Sequence, residues 1–222
     1  MSLTLYYHPL ASFCHKVLIA LYENHIAFEP RIIDLGNPKD LAELQTIWPF
    51  AGFPVIRDHR RGRDLPESTL IIEYLDHHFP AEHRLIPDNW EGALEVRIWD
   101  RLCDNQIQLP IQKIVRDRLM KTNLDTSRER ATLQTAYTLL EKRLAQHHWL
   151  GGASFSMAEC SAAPALFYAH TLEPFPASCP KLSAYFDRLV QRPSVRRVLS
   201  EAQPYFGLYP FAEAIPARFL SH

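Results

Sequence analysis

Gly52-Phe53-Pro54-Val55-Ile56, followed by Pro66-Glu67-Ser68 at the head of an apolar run, is the stretch on which the reading of this chain turns. A proline directly before Val55-Ile56 donates no ladder hydrogen bond, so it belongs at the start or edge of a strand, and an X-Pro bond accommodates cis. The backbone of Phe53 is then left free to pair with something extended. Beyond a charged turn, Ser68 is placed to cap a helix over 69–79, whose first N–H groups and positive dipole end attract a carboxylate. Glu67 beside it offers a counter-charge to an amine. An amine and a carboxylate held side by side describe the head of an amino acid or of a γ-glutamyl peptide.

Outward from this stretch the N-terminal pattern alternates strand and helix. Leu3-Thr4-Leu5-Tyr6-Tyr7 is a short strand candidate closed by His8-Pro9. From 12 to 24, Phe13, Val17, Ala20 and Leu21 recur at i, i+4, i+7 and i+8, one face of a helix. A strand over 28–33 follows, so a parallel strand-helix-strand unit is expected. A short helix or irregular turn over 41–48 leads to Pro54, and strands near 55–58 and 63–65 form a hairpin around Arg61-Gly62.

After Pro80 the texture changes. Residues 84–88 read as a linker, and nothing beyond them resembles a strand. A long helical pattern spans 90–120 with an expected bend at Pro110, which removes one backbone bond. Further helices are expected over 126–147, 156–172, 181–191 and 194–202, an all-helical bundle. Ser156-Met157-Ala158-Glu159 is a capping box, with Phe155 set to staple against Cys160.

This order of motifs resembles the glutathione S-transferase family over nearly the full length. Phe53-Pro54-Val55 matches the family's cis-proline motif, Glu67-Ser68 its third-helix start, and 155–159 its helix-capping box. The resemblance implies a thioredoxin-like N-terminal domain over 1–80, a linker over 81–88 and an all-helical domain over 89–222. It also implies glutathione as co-substrate and a hydrophobic electrophile as acceptor, in a cytoplasmic, dimeric transferase of the detoxifying kind. Phe53 then pairs its main chain with the cysteinyl part of glutathione, with Pro54 and Val55 shaping that edge, and Glu67 and Ser68 hold the γ-glutamyl amine and carboxylate. One departure is Gly52, where the family often carries a lysine, so the glycyl end needs another anchor, with Trp48 or an arginine as candidates.

Glutathione chemistry needs a thiolate, and a free thiol with a pKa near ~8.5 is mostly protonated at neutral pH. Donors or a helix start aimed at sulfur must lower that value. In relatives that use Ser or Cys, the activating residue most often opens the four-residue unit held here by Ala11-Ser12-Phe13-Cys14, and the opening position is Ala11. Ser12 is next in line, either as thiolate donor or as helix cap. Tyr7 stands two residues before Pro9, like the catalytic tyrosine of some family classes, or is a strand aromatic in the core. Cys14 matches the inward-pointing fourth place, a buried and inert thiol; thiol transfer through it is the alternative. His15 is expected to be a solvated helix residue. An electrophile pocket between the domains is expected along the long helix at Trp99, Cys103 and Gln106, continuing to Leu109 and Lys113, unless that stripe is bundle packing. The aromatic tail 203–222 is expected to pack across the pocket mouth.

Composition narrows the remaining classes. A formal net charge of −1 gives no electrostatic case for nucleic acid or an anionic membrane. The one basic cluster, 57–63, lacks interleaved aromatics and reads as a solvated hairpin turn. The four cysteines show no CxxC or zinc spacing, and His77-His78 and His147-His148 are adjacent, so neither pair shares a helix face for metal ligation. The N-terminus lacks a signal-peptide pattern, and no run approaches the roughly 18 apolar residues of a membrane span. No self-complementary patch is legible for a homodimer. A non-catalytic binding or regulatory protein on the same fold is the rival reading, and a glutathione-dependent isomerase using Ser12 stands between the two.

Overall fold

The computed structural model describes residues 2–79, 81 and 84–220. Two residues of the expected linker, 82 and 83, lie outside the described residues, as do Pro80, Met1 and the last two residues of the tail.

The N-terminal half is a four-stranded mixed sheet with helices on both faces. Strand β1 (Leu3–Tyr7) leads through α1 (Ser12–Glu23) to β2 (Glu29–Ile32), and α2 (Pro38–Ile47) leads to the hairpin β3 (Val55–Asp58) and β4 (Arg63–Pro66), closed by α3 (Ser68–His78). The spatial order is β2-β1-β3-β4, with β1 parallel to β2 and antiparallel to β3. Alternation along β1 divides its side chains: Leu3, Leu5 and Tyr7 face the main core, and Tyr6 joins Val55, Ile33 and Leu44 in a small core under α2. Helix α2 begins three residues earlier than expected, because Pro38 is preorganised for the first turn and the Asn37 side chain accepts from the Lys39 N–H at 3.0 Å.

The C-terminal half is helical. Helices α4 (Trp90–Leu102) and α5 (Leu109–Met120) are joined by a π-helical segment over Cys103–Gln108. The expected interruption thus falls just before Pro110 rather than at it. The proline ring displaces the carbonyl four residues back, at Gln106, and the wider π turn absorbs the displacement. Helices α6 (Ser127–Leu144), α7 (Met157–Leu172), α8 (Pro180–Gln191) and α9 (Pro193–Ala202) complete the bundle. Helix α7 is buried nearly all round and packs on both α1 and α4, which makes it the central rod joining the two halves. Its capping box forms as read: the Ala158 N–H donates to Ser156 Oγ at 3.2 Å and the Ser156 N–H to Glu159 at 2.9 Å. The tail folds back as short 3₁₀ turns, with Phe206 and Phe219 against Phe167, and Tyr209 against Tyr168. No helix among the described residues is long and apolar enough to cross a membrane.

Candidate functional site

Two adjoining depressions lie where the sheet meets the bundle. The first, a cleft of about 330 Å³, is lined by Trp48, Phe53, Pro54, Glu67 and Ser68 on the sheet side and by Arg101, Asp104 and Asn105 across from them. The second, a pocket of about 280 Å³, runs from Leu10, Ala11 and Ser12 to Gln108, Ile111 and Val115, with Tyr168, Leu208 and Tyr209 closing it. Phe13 and Phe53 border both, so the start of α1 stands between them.

The cleft is built by local backbone geometry. The Phe53–Pro54 peptide is cis, and the β3 ladder begins only at Val55, so the Phe53 main chain lies outside it. Glu67 has φ 70° and ψ 108°, a conformation disfavoured for a residue with a Cβ. Such strain persists where the surroundings enforce it, which is common at ligand sites. It also moves the helix start: α3 begins at Ser68 itself, Glu67 takes the capping position, and no side chain caps. The expected capping by Ser68 is therefore corrected, and its hydroxyl is left for the cleft. No acidic residue sits in the first turn of α3 to neutralise the dipole end. Val55 does not reach the cleft; it is fully buried in the small core beneath.

Behind the cleft lies a charged cluster that the sequence did not announce. The Lys16 ammonium is buried and contacts Asp100 at 2.6 Å and Asp104 at 2.8 Å, and it donates to Thr69 Oγ1 at 2.8 Å. Thr69 in turn donates to Asp100, which also accepts from Ser161, and Arg101 reaches Asp104 from the solvent side. Burial works to raise the Asp100 pKa, but Lys16 and the hydrogen bonds outweigh it and hold the carboxyl below its usual value. For Asp104 burial prevails and the value rises. The cluster ties α1, α3, the α4–π segment and α7 together directly behind Ser68. A helical lysine at i+4 from Ser12 gives no sign of full burial, since its partners lie far along the chain.

At the start of α1, Ala11 is the capping residue and Ser12 the first helical one, with no side-chain cap bond. The capping reading of Ser12 is thereby removed. Its side chain lines the pocket near two helix-start N–H groups, with no acidic residue in that turn. Tyr7 is not there. Its side chain turns into the main core and borders a different depression with Tyr22, Arg197 and Glu201. Burial pushes its hydroxyl up to about 12, the wrong direction for a base at neutral pH. Cys14 is buried and its thiol pushed up by desolvation. His15, expected to be solvated, is only 1 % exposed: its Nε2–H donates to the Pro9 carbonyl and its ring packs on Tyr168, so burial lowers its pKa to about 4.

The expected acceptor residues are corrected as a group. Trp99 is buried, donates to Glu95 at 2.9 Å and carries the Arg143 guanidinium over its ring, and Cys103 is wholly in the core. Gln106 faces solvent. The extra residue accommodated in the π turns shifts the helix face, so the pocket wall starts two residues later, at Gln108, and continues to Ile111 and Val115. Leu109 lines the cleft instead, and Lys113 pairs with Glu129 away from both depressions.

This arrangement is that of a thioredoxin-like domain carrying a polar cleft and a helical domain carrying an apolar wall. Models of the glutathione S-transferase N-terminal and C-terminal domains match residues 5–83 and 125–188, and the chain belongs to that family. It is 27% identical over 209 residues, 91% of this chain and 92% of the relative, to a stringent starvation protein A homolog of Haemophilus influenzae. It is 24% identical over 201 residues to glutathione S-transferase U25 of Arabidopsis thaliana, covering 88% and 87% of the two chains. A glutathione S-transferase structure from Methylobacillus flagellatus with glutathione bound superposes with a TM-score of 0.75 at 21% identity, over 89% of this chain and 98% of the other.

Proposed function

We propose that the chain is a glutathione transferase, which binds glutathione in the cleft and joins its sulfur to a small hydrophobic electrophile held in the adjoining pocket. The observation that carries this reading is the junction at Phe13 and Phe53: a polar cleft adjoins an apolar pocket, and Ser12, next to Phe13, lines the pocket side. Phe53 offers its main chain to the cysteinyl unit, and Glu67 and Ser68 hold the γ-glutamyl head, with Asp104 adding a second carboxylate near its amine. Trp48 is left for the glycyl end, in place of the lysine missing at Gly52, because Arg101 is engaged with Asp100, Asp104 and Thr69. The Ser12 hydroxyl and the helix-start N–H groups stabilise the thiolate by donation, and the thiol proton leaves to solvent.

The reading divides the chain at 81–88, between a glutathione-binding unit over 1–80 and an acceptor-binding unit over 89–222. A homodimer is part of it. Trp90, Leu94 and Ile98 form an exposed apolar stripe at i, i+4 and i+8 on α4, beside exposed Leu70 on α3. Such a face supports self-association, which sedimentation measures directly. Four free, buried thiols support a reducing, cytoplasmic setting.

The test is retention of the folded protein on immobilised glutathione, followed by conjugation of an aromatic halide. Ser12→Ala is expected to raise the apparent pKa of bound glutathione by about one unit and to slow conjugation about tenfold or more. A folded protein that passes through the column unretained overturns the reading. A second reading, a glutathione-binding regulatory protein without turnover, is favoured by the near-full-length likeness to a stringent starvation protein A homolog and by Ala11 at the usual activating position. Retention without conjugation would establish it. Thiol transfer through Cys14 loses support from that thiol's burial, while an isomerase using Ser12 shares the proposed site.

A further inference from the structure

Two buried side-chain atoms among the described residues have no hydrogen-bond partner, Arg188 Nε and Gln108 Oε1. The Arg188 guanidinium is otherwise engaged, donating to the His148 carbonyl at 2.6 Å and lying over Trp149. Gln108 is different. It is 4 % exposed, it is the last residue of the π-helical segment, and it lines the apolar pocket. A buried acceptor without a donor is costly, so it persists where something outside the protein completes it. Irregular π turns recur at ligand sites for the same reason: they aim a side chain that a regular helix would not.

The other polar groups of the pocket are already committed or placed elsewhere. The Tyr168 hydroxyl donates to the Leu10 carbonyl at 2.6 Å, and the Tyr209 hydroxyl is paired with Thr171 at 2.7 Å. Ser12 stands at the sulfur side, and Gln112 is exposed at the rim. No charged side chain among the described residues lines this pocket, so an ionised ligand group there would be desolvated without a counter-charge. Among the described residues, the group of this wall left without a partner is the Gln108 amide, whose Oε1 is shielded from solvent and meets a ligand by a turn of its side chain.

We infer that Gln108 selects the second substrate: the pocket takes a small, uncharged, largely apolar electrophile bearing a hydroxyl or N–H donor, which Gln108 Oε1 receives. The inference rests on reading this pocket as the electrophile site. A site that leaves its own polar group unpaired against the wrong ligand discriminates far more sharply than an apolar wall.

The probes are benzylideneacetone derivatives with a 3-hydroxy or a 3-methoxy group, alike in size and electronic effect and differing in the donor. Their binding is measured by calorimetry with and without glutathione, and their conjugation is measured at a pH where the phenol is neutral. In that reaction the thiolate forms the C–S bond at the β-carbon, the C=C electron pair shifts toward the carbonyl, and a proton from water completes the adduct. The unaltered protein is expected to favour the hydroxy compound about tenfold or more in Kd and kcat/KM. Gln108→Leu is expected to bring the ratio to within about twofold, with the methoxy compound bound at least as well as before. Gln108→Met, unbranched and of similar length, repeats the test should the leucine variant fold poorly, and Gln112→Leu is expected to retain the preference. An unchanged ratio in the Gln108 variants, a preference for the methoxy compound, or its loss in Gln112→Leu instead would overturn the assignment. Glutathione is titrated separately. Absent glutathione binding with the hydroxy preference intact removes the transferase reading and leaves Gln108 as the selector, whereas glutathione binding without the preference does the reverse.

Discussion

The polar cleft and the apolar pocket share Phe13 and Phe53, yet the chain assembles them in opposite ways. One wall of the cleft comes from a single stretch, 48–68, whose hairpin brings its two ends together, and the residues from 101 to 109 close it. The pocket draws on 10–13, 53, 108–119, 168 and 208–210, segments from both halves and the tail. A binder of one fixed peptide is served by a compact local motif, because main-chain pairing and a helix start supply most of the contacts. A pocket for a variable partner is served by walls from separate segments, each of which can change without disturbing the others.

Consecutive residues of α1 brace the two regions. Lys16 reaches Asp104 behind the cleft, and His15 packs on Tyr168 behind the pocket. The largest effect expected from breaking this pairing of supports is Lys16→Met, which leaves Asp100 and Asp104 with only the half-exposed Arg101 as cation. Removing one partner of such a cluster costs about 3–5 kcal/mol. Urea unfolding measures it, and glutathione affinity should fall more than electrophile affinity. A loss below about 1 kcal/mol would mean that the cleft wall is held by other contacts.

The next effect acts on the pocket side and depends on pH. His15 is neutral when folded, with its pKa lowered from 6.5 to about 4. Below 6.5 the unfolded chain takes up a proton that the folded chain refuses, so stability falls as pH drops toward 4 and levels off below it. At about 1.4 kcal/mol per unit this amounts to about 3 kcal/mol. His15→Gln keeps an N–H donor for the Pro9 carbonyl, and its stability profile should be flatter than the parent's between those pH values. Parallel profiles for the two proteins would show that His15 is not the group responsible.

The smallest effect is the most local. Ser68→Ala should weaken glutathione binding about tenfold, near 1.4 kcal/mol, and leave electrophile affinity within about twofold. An equal loss at both ligands would show that cleft and pocket act as one unit.

Particular residues mark how far the sequence could be read. Leu3-Leu5-Tyr7 alternation, the α1 periodicity and the capping box at Ser156 each express a local rule, and the corresponding elements formed. Pro54 and Glu67-Ser68 pointed to the cleft because backbone constraints are written in the residue types that tolerate them. Tyr7 failed as a candidate because its place two residues before Pro9 does not say which distant segments its ring meets, and those carry Tyr22, Arg197 and Glu201. His15 looked solvated and Lys16 drew no attention because their partners, Tyr168, Asp100 and Asp104, are distant in sequence. Trp99 and Cys103 were misplaced because that face of the helix packs into the bundle core, and Gln106 because regular helical spacing was carried into a π segment, whose extra residue is a response to Pro110 and to packing on α7.

By itself the sequence determined the two-part architecture, the family and the cleft-lining residues Phe53, Pro54, Glu67 and Ser68, since these depend on proline, on helix starts and on apolar periodicity, which act over a few residues. Only the tertiary structure decided that Ser12 lines the pocket and Tyr7 does not, that Lys16 is buried between two aspartates, and that Gln108 lines the pocket. Each of those outcomes depends on which distant segment comes to lie against the residue, and burial, electrostatics and hydrogen-bond satisfaction are settled only by that contact.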